Sequence, residues 1–466
     1  MTSAVVVGSG PNGLSAAVVL ARAGVDVTVL EAEDEIGGGT RSAELTVPGV
    51  LHDICSATHP TGVASPFFRS LGLERHGLEW LWPEVDAAHP LDGGRAGVLF
   101  RDLDRTVEGL GTDGDAWRAL YAPLAEHSDE LIDEIFGPIL HVPRHPVLLA
   151  GFGLKALQPA SWIARRWTTD EARGLFAGLA AHAMHPLDRP TTAGLGLMFG
   201  MTSHAYGWPV ARGGSQAIAT ALAADLVEHG GRIETCHRVT ELPRADVVML
   251  DTSPSTALAL AGHLMPRRVR RPLRRWRSGP GSFKIDFAVQ GGVPWTNEWA
   301  AKAGTVHVGG TFDEVDAAER DVHAGRMPDR PFVLVCQQYL ADPGRSAGDI
   351  HPVWAYAHVP TGYTGDATEA IVAQIERFAP GFRDRVVART VTTPAQLEAH
   401  NANYLGGDIG GGANDPWQLV MRPRVSPNPY SLGVKGLYLC SASTPPGGGV
   451  HGMSGFRAAT HAVMNL

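Results

Sequence analysis

A glycine turn set between two apolar strands constrains this chain more than any other feature. Ala4-Val5-Val6-Val7 is a short, continuous apolar run, as a buried parallel strand is. Gly8-Ser9-Gly10-Pro11-Asn12-Gly13 follows at once, and Leu14 to Ala23 reads as a helix ended by Gly24. Val25 to Leu30 predicts a second strand with Glu31 at its tip. This is a βαβ unit with G-x-G-x-x-G at the first turn and an acid about 20 residues later, the pattern of a dinucleotide site. Gly8 serves the tight turn, Gly10 lets backbone approach a pyrophosphate, and Gly13 lets helix pack on strand. The helix N-terminus offers free N–H groups to phosphate. Glu31 suits ribose hydroxyls and repels a 2′-phosphate, which disfavours NADP.

The rest of the composition narrows the class. At 466 residues the chain predicts two domains. Hydrophobic residues at 44% and charged residues at 19% are ordinary for a globular protein, and a net charge of −9 argues against a nucleic-acid binder. Cys55, Cys236, Cys336 and Cys440 form no C-x-x-C pair, so neither a dithiol centre nor a cysteine zinc site is expected, and no metal. Scattered cysteines and an N-terminus that is already a strand lead to the expectation of a cytoplasmic protein without a signal peptide. No run of 18 apolar residues predicts a membrane-spanning helix.

Three further segments carry a family resemblance. Glu35-Ile36-Gly37-Gly38-Gly39-Thr40-Arg41-Ser42 resembles the second glycine motif of the phytoene desaturase and amine oxidase superfamily of FAD enzymes. Near the C-terminus, a strand at 437–442 leads into Pro445-Pro446-Gly447-Gly448-Gly449-Val450-His451-Gly452-Met453-Ser454-Gly455 and a helix to about Val463. This is similar to the loop and helix that close over the flavin ring in that superfamily. Mid-chain, Pro209 to Ser215, a helix from Gln216 to about His229, and Val239 resemble the segment that re-enters the FAD domain. The form Gly-Gly-Gly-Val-His-Gly-Met is most similar to the subgroup of pyridine nucleotide-disulphide oxidoreductase domain-containing protein 2.

The resemblance implies an α/β fold. A Rossmann-like FAD-binding domain, discontinuous over 1–75, 205–265 and 405–466, is interleaved with a substrate domain over 76–204 and 266–404. The substrate domain is expected to be helical over 76–204. Over 266–404 it is expected to be a mixed sheet roofing the flavin, with strands at Phe283–Val289, Thr305–Gly309, Phe332–Gln337 and Val353–His358 and a helix at Ala367–Phe378. Ser282 to Val289 alternates polar and apolar, which predicts a half-buried antiparallel strand. The small meander that relatives carry after the valine is missing, because Val239 runs almost directly into Ala245–Leu250.

Carried over residue by residue, the cofactor contacts are Gly8, Gly10, Pro11, Asn12, Gly13, Glu31 and Ala32 in the first unit. Gly38, Gly39, Thr40 and Arg41 follow in the second motif, with Arg41 toward the pyrophosphate and Val239 toward the adenine. Ser441, Gly449, Val450 and Met453 complete the set. Free N–H groups near Val450 and Met453 would stabilise negative charge on the reduced ring. Polar candidates for chemistry are His451, inside the ring-covering loop, and His59 in Ser56-Ala57-Thr58-His59-Pro60. Tyr404, Asp408 and Arg422 border the substrate side. At each of these a hydrogen-bonded structural role competes with a chemical one.

What the resemblance implies about activity stays open at three points. One reading is a desaturase, dehydrogenase or isomerase of an apolar polyene- or isoprenoid-like substrate. In it, hydride passes to flavin N5 and electrons leave to oxygen or a quinone, since no second nucleotide fold is visible. Another is an oxidase of amines or other polar substrates, disfavoured because Ser443-Thr444-Pro445-Pro446 holds no caging aromatic. The third is a non-catalytic FAD-binding scaffold. Two segments are compatible with peripheral membrane contact. One is the apolar stretch from His145 to Trp167, broken at Pro159, for which a core helix is the favoured expectation. The other is 267–277, with seven arginines in eleven residues.

Overall fold

The computed structural model describes residues 2–466. Five parallel strands form the first sheet, in the order Leu437–Leu439, Val247–Leu250, Ser3–Val7, Asp26–Leu30 and Arg232–Glu234. The two halves of the first βαβ unit lie at its centre, joined by helix Pro11–Arg22. Apolar clusters lie on both of its faces, with Val6, Val27 and Val29 in one and Val7, Val248 and Leu250 in the other. Strand Arg232–Glu234 joins Val247–Leu250 through an irregular connection that contains no strand, where a meander is missing as the sequence predicts.

The second sheet has seven strands. Their order is Val386–Thr392, Gly281–Gln290, Ile350–Val359, Val333–Cys336, Ala303–Val308, Val85–Pro90 and Ala96–Leu99. Only Ala303–Val308 and Val85–Pro90 run parallel; the other neighbours are antiparallel. The 76–204 stretch, expected to be helical, is therefore only partly so. Its first part contributes two strands to this sheet, and helices occupy the rest.

The alternation at 282–289 has a different cause from the one predicted. Both faces of Gly281–Gln290 are buried up to its last residue. Phe283, Ile285 and Phe287 pack with Val333, Val335, Val353 and Ala355 in one core cluster. The other face carries Lys284 opposite Tyr356, Tyr356 opposite Leu334, and Leu334 opposite His307. Lys284 is ion-paired with Asp286, which also faces His52. The polar side faces the molecular interior, where charges are tolerated because they are paired.

The 145–167 stretch also departs from the core helix expected. Helix Pro146–Ala156 and the turns of Ala160–Arg166 meet at 98° around Pro159. The second piece buries Ala160, Ile163 and Ala164. The first buries only Phe152, and Val147 is 86% and Leu154 74% exposed. Helix Arg267–Leu273 turns Val269 and Leu273 inward and most of its arginines outward. No single helix among the described residues is long and apolar enough to cross a membrane.

Candidate dinucleotide and substrate site

Close packing of backbone builds the site. Gly13 has no room for a side chain, because a Cβ would lie 2.2 Å from the Gly8 carbonyl oxygen. Helix Met453–Val463 crosses Pro11–Arg22 at Gly455, where a Cβ would lie 1.8 Å from the Asn12 carbonyl oxygen. Gly38 abuts Gly10, so the two N-terminal glycine motifs touch. Between them and the C-terminal loop opens a cavity of about 610 Å³ at the C-terminal ends of the parallel strands, where open α/β sheets bind ligands.

The residues around this cavity fit a dinucleotide. Gly8, Gly10, Pro11, Asn12, Glu31, Ala32, Gly38, Gly39, Arg41, Val239, Ser441, Gly449 and Val450 all line it. Gly13, Thr40 and Met453 do not. Gly13 packs behind the turn, the Thr40 hydroxyl donates to the Gly37 carbonyl at 2.8 Å, and Met453 is buried. Among the described residues, the Gly10 and Asn12 amides meet no acceptor in the protein and remain for a phosphate.

Glu31 is partly spent. Its Oε2 accepts from the Ser9 amide at 2.9 Å and from the Ser9 hydroxyl, and its Oε1 accepts from the Glu33 amide at 3.0 Å. A carboxylate offers about four lone-pair sites, so capacity for a ribose hydroxyl remains on Oε1. Arg41 is buried, donates to the Gly38 and His400 carbonyls, and forms no ion pair among the described residues. Its charge is free for an anion. Val239 follows His237, whose amide donates to the Glu31 carbonyl at 2.7 Å, so the segment runs alongside the acid-bearing strand tip.

The expectation of a free amide at Met453 needs correction, and the Gly13 amide is spent as well. The Met453 amide donates to His451 Nδ1 at 3.1 Å, because the His451 ring folds back to cap the helix start. The Gly13 amide donates to Asp251 Oδ2 at 2.9 Å. The amides of Gly449, Val450 and Gly452 have no acceptor among the described residues, so the C-terminal loop keeps donors without Met453.

Asp251 is a residue that the sequence did not single out. It ends strand Val247–Leu250 directly beside the glycine turn and lines the cavity. Burial pushes its carboxyl up to about 7, the Gly13 amide opposes that shift, and the negative charge of Glu31 adds to it.

The two histidine candidates part company. His451 lines the cavity beside Phe136, and burial lowers its pKa to about 4, so its ring is neutral. His59 is not among the lining residues, although Thr58 and Pro60 are. Its Nε2 meets the Ser215 hydroxyl at 2.9 Å, and burial lowers its pKa to about 4. The structure thus turns His59 into a buried strut between the 56–60 turn and helix Gln216–Glu228.

Beyond the glycine motifs the cavity wall becomes apolar. Ile135, Phe136, Phe152, Leu195, Met198 and Phe199 line one side, and Leu334, Trp354 and Tyr356 come from the inner face of the seven-stranded sheet. Tyr404, Asp408 and Arg422 line it as well.

Residues 6–71 match the NAD(P)-binding Rossmann-like domain family. Pyridine nucleotide-disulfide oxidoreductase domain-containing protein 2 of Rattus norvegicus is 26% identical over 99% of this chain and 93% of its own. Hydroxyneurosporene desaturase of Rhodobacter capsulatus is 24% identical, over 100% and 97%. Over nearly its whole length the chain is thus similar to flavoprotein oxidoreductases of the desaturase kind. The alignment with the rat protein spans 548 positions against 466 residues here, so at least 82 of its positions have no counterpart in this chain. The fold agrees with solved structures. An oxidoreductase from Methanosarcina mazei matches with TM-score 0.64 at 16% identity, covering 100% of both chains. A putrescine oxidase matches with TM-score 0.61 at 17% identity, covering 100% of this chain and 98% of its own.

Proposed function

We propose that this protein binds FAD and uses it to desaturate or dehydrogenate an apolar, polyene- or isoprenoid-like substrate. The observation that carries the reading is one continuous cavity whose walls change from glycine turns and anion-binding groups to Phe152, Leu195, Met198 and Phe199. A dinucleotide suits the first part and an apolar chain suits the second.

FAD supplies two-electron chemistry by accepting hydride at N5. The protein's own residues do the rest. Glu31 would hold a ribose, and Arg41 with the Gly10 and Asn12 amides would receive the diphosphate. The unspent amides of Gly449, Val450 and Gly452 would favour negative charge beside them. The apolar wall orients the substrate and excludes water. Oxygen or a quinone would serve as the electron acceptor. The amine reading is weaker, because the cavity holds a buried arginine, Arg422, that repels an ammonium group. The exposed Val147, Leu154, Leu157 and Trp162 belong to the same helical region as the lining residue Phe152, and peripheral membrane contact there is part of the proposal.

The test is anaerobic mixing of the purified flavoprotein with candidate polyenes and amines. Bleaching of the flavin band by polyenes alone is expected. Bleaching by amines alone would sink the reading. Firmly bound FAD that no substrate bleaches would favour a scaffold.

A further inference from the structure

Three arginines are buried among the described residues, and they differ in what balances their charge. Arg345 is paired with Asp53 at 2.5 Å and Asp342 at 3.0 Å, and it is structural. Arg41 has no carboxylate partner but stands at Gly38, against the glycine turn that would receive the diphosphate. Arg422 is 2% exposed, lines the cavity, and has no ion-pair partner among the described residues.

The hydrogen bonds of Arg422 leave much of it unspent. Nη1 donates to the Ala442 carbonyl at 3.2 Å and Nη2 to Asn414 Oδ1 at 2.7 Å. Nε is buried with no partner. A guanidinium carries five N–H groups, and two are used. The Trp276 ring lies 5.9 Å from its centre. Two carboxylates are near but committed. Asp408 accepts from the Gly279 and Gly410 amides, and Asp415 is paired with Arg277 at 2.6 Å. A buried cation with no carboxylate in contact is costly to fold around, and an anionic ligand reduces that cost. Consistent with this, burial lowers Arg422 to about 10, with Asp408 and Asp415 only partly opposing the shift.

We propose that Arg422, with Asn414 beside it, is the subsite for a carboxylate on an otherwise apolar substrate. The planar fork of arginine matches a carboxylate. A monoanion is favoured over a dianionic phosphate because Asp408 and Asp415 lie close. The rest of such a molecule would lie along the apolar wall, so the substrate class becomes an apolar acid. This rests on the reading of the cavity as an apolar substrate site.

Calorimetric binding of oleate and methyl oleate to the FAD-loaded protein tests it. Oleate is expected to bind at least about tenfold tighter than its ester, and Arg422→Met is expected to abolish that preference. Equal binding of acid and ester by the native protein overturns the proposal, and this comparison stands even if the variant does not fold. A preference that survives in Arg422→Met also overturns it. So does loss of FAD from that variant when the native protein shows no preference, since the arginine then serves the cofactor. Acid preference without bleaching by any polyene counts against the redox reading alone. Bleaching by polyenes without acid preference counts against the carboxylate subsite alone.

Discussion

The Gly13 amide and the Asp251 carboxylate are joined by a 2.9 Å hydrogen bond at the mouth of the glycine turn. An acid therefore stands beside the groups expected to receive a diphosphate. Asp251 Oδ2 also comes so close to Gly10 that a Cβ there would be 2.8 Å from it.

A bound diphosphate would raise the Asp251 pKa beyond its present value of about 7, since like charges disfavour ionisation. Binding then takes up a proton whenever Asp251 is ionised in the free protein. FAD affinity is expected to be flat below about pH 7 and to fall by up to about tenfold per pH unit above it. Asp251→Asn should bind FAD with little pH dependence and more tightly than the native protein at pH 8. Fluorescence titration with FAD from pH 6 to 9 reads both, and parallel profiles for the two proteins would refute the coupling.

Glu31 makes an independent claim on the same cofactor. Glu31→Ala removes the acceptor for ribose and also frees the Ser9 and Glu33 amides. Flavin content after dialysis is expected to fall, with the dissociation constant rising at least about tenfold. Thermal unfolding of the apoproteins separates this from simple destabilisation. Unchanged FAD affinity would count heavily against the assigned site.

The parts of this site readable from sequence are those in which one short segment carries both turn and contact. Gly8 to Gly13, Glu31, Gly38 to Arg41 and Gly447 to Gly455 are of that kind. Asp251 is not, because its place beside Gly13 depends on Val247–Leu250 pairing with Ser3–Val7 across more than two hundred residues. Alternation at 282–289 showed that two faces differ, but not that the polar face looks inward. Periodicity cannot distinguish water from a lined cavity. Likewise Arg422 is visible as a letter, while the absence of its counter-ion is a property of the fold.

Asp53 and Arg345 clamp segments far apart in the chain. Burial acts to raise the Asp53 pKa, but the Arg345 guanidinium, the Ser215 amide and the Ser42 hydroxyl together hold it below its ordinary value. With a folded pKa below the unfolded one, the stabilisation is present above the unfolded value of 3.8 and is lost as pH falls through the folded pKa. Arg345→Met strands two buried carboxylates and is expected to cost about 3–5 kcal/mol near pH 7. Urea unfolding at pH 7 measures this, and a loss under about 1 kcal/mol would mean the network is dispensable.

The exposed apolar helix at 146–156 gives a separate expectation. Arg165 and Arg166 are exposed in the adjoining turn, so the surface joins apolar and cationic groups. Cosedimentation with phosphatidylglycerol-containing vesicles is expected, weakened by high salt and by Leu154→Ser with Trp162→Ser. Equal sedimentation of native and doubly substituted protein would exclude this face as the contact.

Gly455 tests whether the two chain ends must meet for the cofactor to bind. A methyl group at Gly455 collides with the Asn12 carbonyl, which is backbone and cannot swing aside. Helix Met453–Val463 must then shift from Pro11–Arg22, opening the C-terminal loop relative to the glycine turn. Gly455→Ala is expected to destabilise by about 1–3 kcal/mol and to weaken FAD binding together with stability. Gly109→Ala is the control, since a Cβ there meets nothing within 4 Å. Differential scanning fluorimetry with and without FAD reads both effects. If Gly455→Ala keeps the native melting temperature and the native shift with FAD, the crossing of the two helices does not hold the site together.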